Sequence, residues 1–191
     1  MHTKNNRPSQ AKVLRIFRKV HRQTGALLFV FFFVISISGL FLGWKKHSGD
    51  LILAKSQNGT STNLKQWLSI DSLHQSAVLL FRDSISNTLS SDVDRIDIRK
   101  DKGMVKFIFK ANYWAIQLDG ATGKLLKIER RRSDFIENIH DGSILDTYFN
   151  TSNGQIKLVY TTIMGFALLI FTVTGFWLWY GPKRMRRNAS H

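Results

Sequence analysis

The hydrophobic pattern changes character along the chain, from continuous to periodic and back. Residues 25–44, GALLFVFFFVISISGLFLGW, hold no charged side chain, and neither do residues 158–180, LVYTTIMGFALLIFTVTGFWLWY. At ~1.5 Å of rise per helical residue, the first run reaches the ~30 Å of a bilayer's hydrocarbon core. Each run predicts a transmembrane helix, and Trp177, Trp179 and Tyr180 at the end of the second suit a membrane–water interface. The first run is longer than the ~7–15 apolar residues of a signal peptide, and GWKKHSGD after it offers no A-x-A-like cleavage site, so it is read as a retained span.

Between the runs the apolar positions become periodic. Ser69 or Asp71 caps a predicted helix whose Leu73, Ala77, Leu80 and Phe81 share one face. A period of two follows. Ile96 and Ile98 precede a DKG turn; Val105, Phe107 and Phe109 alternate with Lys106, Ile108 and Lys110; Trp114, Ile116 and Leu118 precede DGATGK; Leu126 and Ile128 come after it. DGATGK lacks the spacing of a phosphate-binding loop and joins two strand patterns instead of opening a helix, so it is read as a hairpin. The expected fold is an α+β membrane protein: two transmembrane helices flanking a small helix and about four antiparallel strands, with the helix covering the sheet's apolar face.

Charge orients this plan. Of a net +15, residues 1–24 supply seven Lys or Arg and residues 181–191 four, with no acid in either stretch. Basic residues flanking spans mark the cytoplasmic side, so both termini are expected in the cytoplasm and residues 45–157 on the other face, the periplasm if the membrane is a bacterial inner membrane. The expected segments are a basic tail (1–24), a first span (25–44), an exported domain (45–132), an interfacial segment (133–157), a second span (158–180) and a second basic tail (181–191). The tails can touch anionic lipid headgroups. No base-reading motif or aromatic-interleaved basic face accompanies them, which argues against a nucleic-acid partner. With no cysteine, the chain itself supplies no disulfide, thiolate ligand or thiol nucleophile. Absence of HExxH and GxSxG signatures leaves hydrolysis without a recognisable nucleophile or metal. Asp92, Asp94, Asp97 and Asp101 alternate with Arg95, Arg99, Lys100 and Lys102, the pattern of a solvated strand face.

Several stretches carry a likeness. KVHRQTGALL…SGLFLGW opens a span on His and Gly and places a Ser-Gly pair deeper in; YWAIQLDGATGKLLKI reads as strand–turn–strand; IHDGSIL…TVTGFWLWYGPKRMRR joins a His-Gly element to a Thr-Gly-aromatic span. In this order, over most of residues 12–187, they resemble the PepSY-associated transmembrane family. The resemblance implies a PepSY-like exported domain and, from larger relatives that act as haem-containing siderophore-iron reductases, a setting in iron or redox physiology. Those relatives have additional spans, so one two-span copy cannot hold all of their cofactor sites.

The resemblance also singles out His21 and His140 as candidate ligands of haem b iron, and His47 is added by its place at the outer end of the first span. For His21, at the mouth of the first span, a plain interfacial role stands beside axial ligation. A helical path from His21 to His47 covers roughly 39 Å, so these two cannot share an iron, and His21 needs a partner from a second copy or another membrane subunit. His47 and His140 can in principle meet at the outer interface, with Ser48, Gly49 and Gly142 leaving room and Asp141 orienting an imidazole. For His140 an interfacial or structural role stands beside ligation. His2, His74 and His191 are expected to face solvent. Ser36, Gly39 and Gly43 on the first span, and Thr161, Gly165, Thr172 and Gly175 on the second, are small enough to pack the helices together, to floor a groove for a flat cofactor or to form a subunit contact. Two functional classes remain: an anchored binding or accessory component whose strand edges take a periplasmic protein or peptide, and a haem-bearing electron-transfer subunit.

Overall fold

In chain order the elements are α1 (Arg7–Trp44), α2 (Ile70–Ser84), β1 (Val93–Arg99), β2 (Met104–Phe109), β3 (Trp114–Asp119), β4 (Leu125–Arg130), α3 (Arg132–His140), α4 (Ser143–Phe149) and α5 (Gln155–Arg187). This computed structural model describes residues 7–151 and 153–187; His2, His191 and the extreme ends of both basic tails lie outside them. The chain divides into two compact units, a helical one (Met1–Gly39 with Asn138–His191) and an α+β one (Leu40–Glu137).

Helices α1 and α5 are long and apolar enough to cross a membrane. Only 6% and 11% of their most apolar windows are buried, whereas a core helix of a soluble protein would be mostly buried. Both overrun the uncharged stretches at their basic ends. Lys, Arg and Gln are good helix formers, so the backbone ladder has no reason to stop where hydropathy does. Within the helical unit α1 and α5 run antiparallel, with ring contacts from Phe17 to Trp177 at 6.0 Å, Phe32 to Phe171 at 5.6 Å and Phe31 to Tyr160 at 6.3 Å.

The segment expected as an interfacial stretch, residues 133–157, is largely helical. Gly142 joins α3 to α4 at φ +78°, a conformation that favours glycine, and a Cβ there would come within 2.5 Å of the Tyr160 ring. Asp146 on α4 then caps α5: its carboxylate accepts the backbone N–H groups of Ile156 at 3.0 Å and Lys157 at 2.7 Å, and the Thr151 hydroxyl. These are first-turn donors that the helix itself cannot satisfy. The hydrogen bond from Thr151, partly opposed by burial and reinforced by those N–H groups, holds the Asp146 carboxyl below its ordinary range.

In the α+β unit Ser69 caps α2, its hydroxyl accepting from Ser72 N–H at 3.1 Å. Leu73, Ala77 and Phe81 of α2 are fully buried against Val105, Phe107, Phe109, Ile116 and Leu118. The four strands form an antiparallel meander in the order β1-β2-β3-β4, as the alternation predicts. The opposite face departs from that alternation: all of β2 is buried, Lys106 included. Lys106 pairs with Glu129 at 2.7 Å, and Gln117 donates to Glu129 at 2.5 Å. A strap of chain lies over them, with Gln57 N–H donating to Gln117 Oε1 at 2.8 Å and Gln117 Nε2 donating to the Lys55 carbonyl at 3.2 Å. The DGATGK turn is indeed a hairpin, and Asp119 organises it by accepting from Ala121 N–H at 2.9 Å and from both the N–H and the hydroxyl of Thr60 at 3.1 Å.

Candidate functional site: two imidazole clasps

A histidine at membrane depth is costly unless its polar edge finds a partner. On α1, His21 places Nδ1 3.0 Å from Thr174 Oγ1 and 3.2 Å from the Phe171 carbonyl oxygen. That carbonyl can only accept, and the Thr174 hydroxyl already gives its hydrogen to the Ile170 carbonyl at 2.7 Å. His21 Nδ1 therefore carries the proton and donates it. The ring stacks on Phe171 with centroids 3.9 Å apart, and a Cβ at Gly175 would lie 3.2 Å from His21 Cε1, so glycine lets the imidazole lie against α5.

His140, the last residue of α3, repeats the arrangement on the other helix. Its Nδ1 lies 3.0 Å from Ser38 Oγ, and Ser38 gives its own hydrogen to the Val34 carbonyl at 2.6 Å. With the Ser38 hydrogen on that carbonyl, the hydroxyl oxygen accepts and Nδ1–H is the donor. A Cβ at Gly39 would lie 3.4 Å from His140 Cε1. Each clasp is thus a hydroxyl followed by a glycine on a helix, with the hydroxyl bonded back one turn and accepting from an imidazole distant in sequence.

In both rings the protonated Nδ1 leaves Nε2 with its lone pair in the neutral imidazole, and Nε2 has no partner among the described residues. A hydrogen bond at Nδ1 that fixes ring and tautomer also fixes the direction of the Nε2 lone pair. The clasps are separate sites: Ser38 and His21 stand 17 residues apart on α1, about 25 Å of helix. Among the described residues no three His, Asp or Glu side chains gather to hold a metal ion.

No family model matches the chain, and no curated protein or solved structure matches it.

The remaining candidates are dispersed. His47 is exposed on the short turn Lys45–His47 in the α+β unit. Asp141, expected to orient an imidazole, turns away from His140. It pairs with Lys157 and accepts from Ser143 N–H at 2.9 Å and Ser143 Oγ at 2.6 Å. Burial pushes its carboxyl up, but Lys157 and Ser143 outweigh burial and hold it below the usual range. His74 is half-buried instead of solvent-facing, its ring 6.1 Å from that of Phe107.

Of the small residues, Gly39 and Gly175 sit beneath the imidazoles. Ser36 and Thr161 donate to their own helices, at the Phe32 and Lys157 carbonyls, and a Cβ at Gly43 or Gly165 would meet nothing within 4 Å. Thr172 is exposed. Ser36, Thr161 and Gly165 instead line, with His140 and Tyr160, a groove of about 270 Å³.

Reasoning from sequence noted the Ser-Gly and Thr-Gly pairs but gave no role to Ser38 and Thr174, the two acceptors. One signal was available: SISGLF at 36–41 and TVTGFW at 172–177 share a hydroxyl-apolar-hydroxyl-Gly-apolar-aromatic pattern.

Proposed function

We propose that this chain is a bacterial inner-membrane protein whose two spans anchor an α+β recognition unit, acting as a binding or accessory component in iron or redox physiology. One observation carries this reading. The helical unit leaves Leu27, Phe29 and Phe166 exposed at 78%, 64% and 64%, apolar surface suited to lipid, while the α+β unit closes a core of its own. The basic ends of α1 and α5 support a cytoplasmic location for both termini and an exported α+β unit. The physiological setting rests on the resemblance of the His-Gly and Thr-Gly elements to PepSY-associated transmembrane proteins.

Strands β1 and β4 each have a neighbour on one side only within the sheet, and such edges accept extended peptides. A photo-crosslinking residue at Ile98 on β1 or Leu125 on β4, both exposed, is expected to trap one periplasmic partner in membranes. The adduct should persist when His21 and His140 are both replaced by Ala. Its loss in that double variant, or no adduct from either edge, would contradict the reading.

A second reading is favoured by the protonated Nδ1 of both clasps: His21 and His140 as axial ligands in a haem b electron-transfer subunit. Haem, when bound, supplies a one-electron carrier. His21 and His140 would hold it through Nε2, with Thr174 and Ser38 fixing each ring and its tautomer. Each imidazole would supply one ligand, so a second would come from another copy or another membrane subunit. Spectra of the purified chain after haem-replete expression test this directly: a Soret band lost in His21→Ala or His140→Ala supports it, and no Soret band in the wild type rejects it.

A further inference from the structure

The α+β unit contains a pocket of about 350 Å³ in which cations outnumber acids three to one: Lys46, Lys55, Arg99, Lys102, Lys106 and Arg131 face Asp50 and Asp97. Most of the local pairing does not neutralise the pocket. Lys106 and Arg131 have carboxylates outside the lining, Glu129 at 2.7 Å and Asp134 at 2.7 Å. The two lining acids have cations outside it, Asp50 with Lys127 at 3.1 Å and Asp97 with Arg95 at 3.1 Å, and Asp97 also meets Arg131 of the lining at 3.9 Å. Lys46, Lys55, Arg99 and Lys102 are left with no carboxylate at ion-pair distance among the described residues.

Four like charges around one small pocket repel one another, and the fold nevertheless holds them there. Lys46 comes from the turn after α1, Arg99 from the end of β1 and Lys102 from the β1–β2 turn. Lys55 lies on the strap over the sheet and is pinned at both backbone groups: its N–H donates to Asp50 Oδ1 at 2.6 Å, and its carbonyl accepts from buried Gln117 at 3.2 Å. Lys102 Nζ meets only a carbonyl, that of Ser56 at 3.4 Å. Lys106 of the lining belongs to the buried Lys106–Glu129–Gln117 network, which also holds the Lys55 carbonyl.

We propose that this pocket binds a small multivalent anion of phosphate type, with Lys46, Lys55, Arg99 and Lys102 as its ligands. Arg99 offers a planar fork for two anionic oxygens, and the three lysines offer point charges that follow the remaining oxygens. Its volume suits a small molecule or a lipid headgroup. The proposal deepens the reading of the α+β unit as the recognition part and rests on it for the accessibility of the pocket from the periplasm; the binding itself is measured without reference to topology.

The test uses the full chain purified in detergent and titrated calorimetrically with inorganic pyrophosphate at low and physiological salt. One saturable site is expected, weaker at higher salt. Lys55→Gln combined with Arg99→Gln should weaken it about tenfold or more, while Lys65→Gln combined with Lys124→Gln, outside the pocket, should leave it unchanged. Circular dichroism and thermal melts confirm that each variant folds. The absence of saturable binding in folded wild type, or equal affinity in the Lys55/Arg99 variant, overturns the proposal. Repeating the titration in nanodiscs of phosphatidylcholine, with and without phosphatidylglycerol, separates the sources. Competition by phosphatidylglycerol that disappears in the Lys55/Arg99 variant assigns the occupant as a lipid headgroup; equal pyrophosphate binding in both discs assigns a soluble anion. Single-cysteine topology mapping tests the wider reading, so failure of one experiment does not mimic failure of the other.

Discussion

At the scale of single residues, each imidazole is defined by the hydroxyl it donates to. With Nδ1 protonated in both rings, ¹⁵N-detected NMR of the metal-free protein should show the Nδ1–H tautomer for His21 and His140; an Nε2–H pattern in either would remove that clasp. Thr174→Val keeps the shape and deletes the main acceptor, and should cost about 1 kcal/mol in a denaturant titration of the solubilised protein. Gly142→Ala imposes a side chain at φ +78° and drives a Cβ to 2.5 Å from Tyr160, so a loss of about 1–3 kcal/mol is expected there. The histidines themselves were legible in the sequence, but their partners were not. His21 meets a hydroxyl 153 positions away, a distance no local pattern encodes. Asp141 shows the converse: adjacency to His140 suggested that it orients the imidazole, yet the turn at Gly142 sends its carboxylate to Ser143 and Lys157.

At the scale of elements, helical spacing located α2, and alternation located all four strands because one sheet face is apolar and the period of two is visible there. It did not disclose that the other face is covered too. Lys106 falls on the polar side of that alternation, whereas the strap around Lys55 and Gln57 buries it as a pair with Glu129. Removing one member strands the other: Glu129→Leu alone is expected to destabilise the α+β unit by about 3–5 kcal/mol, and Lys106→Met with Glu129→Leu should recover much of that loss. A single variant as stable as wild type would show that the pair is not buried. Part of the acid sensitivity belongs to the hairpin. Burial pushes the Asp119 carboxyl up, but hydrogen bonds from Ala121, Thr60 and Thr122 outweigh it and hold the folded value below the ordinary one. Its contribution is therefore complete above the unfolded value of ~3.9 and is lost as pH falls through the depressed folded value. Asp119→Asn should flatten the acid limb of a stability–pH curve without abolishing it, because Asp50, Asp141 and Asp146 are shifted the same way. An unchanged limb would contradict the assignment.

At the scale of the whole molecule, the two uncharged runs were the clearest feature of the sequence, and they fall inside the two helices long enough to cross a bilayer. Helix ends were less legible, since hydropathy marks the apolar part of a helix and basic residues continue it. The central claim is the route of the chain: two crossings, basic ends in the cytoplasm and the α+β unit exported. A cysteine-free chain makes this directly measurable, because every introduced thiol is unique. In cells with a permeable outer membrane and an intact inner membrane, an impermeant maleimide should label Lys100→Cys at once and Ser9→Cys only after the inner membrane is lysed. Labelling of Ser9→Cys in intact cells with Lys100→Cys protected until lysis would reverse the topology and contradict the account.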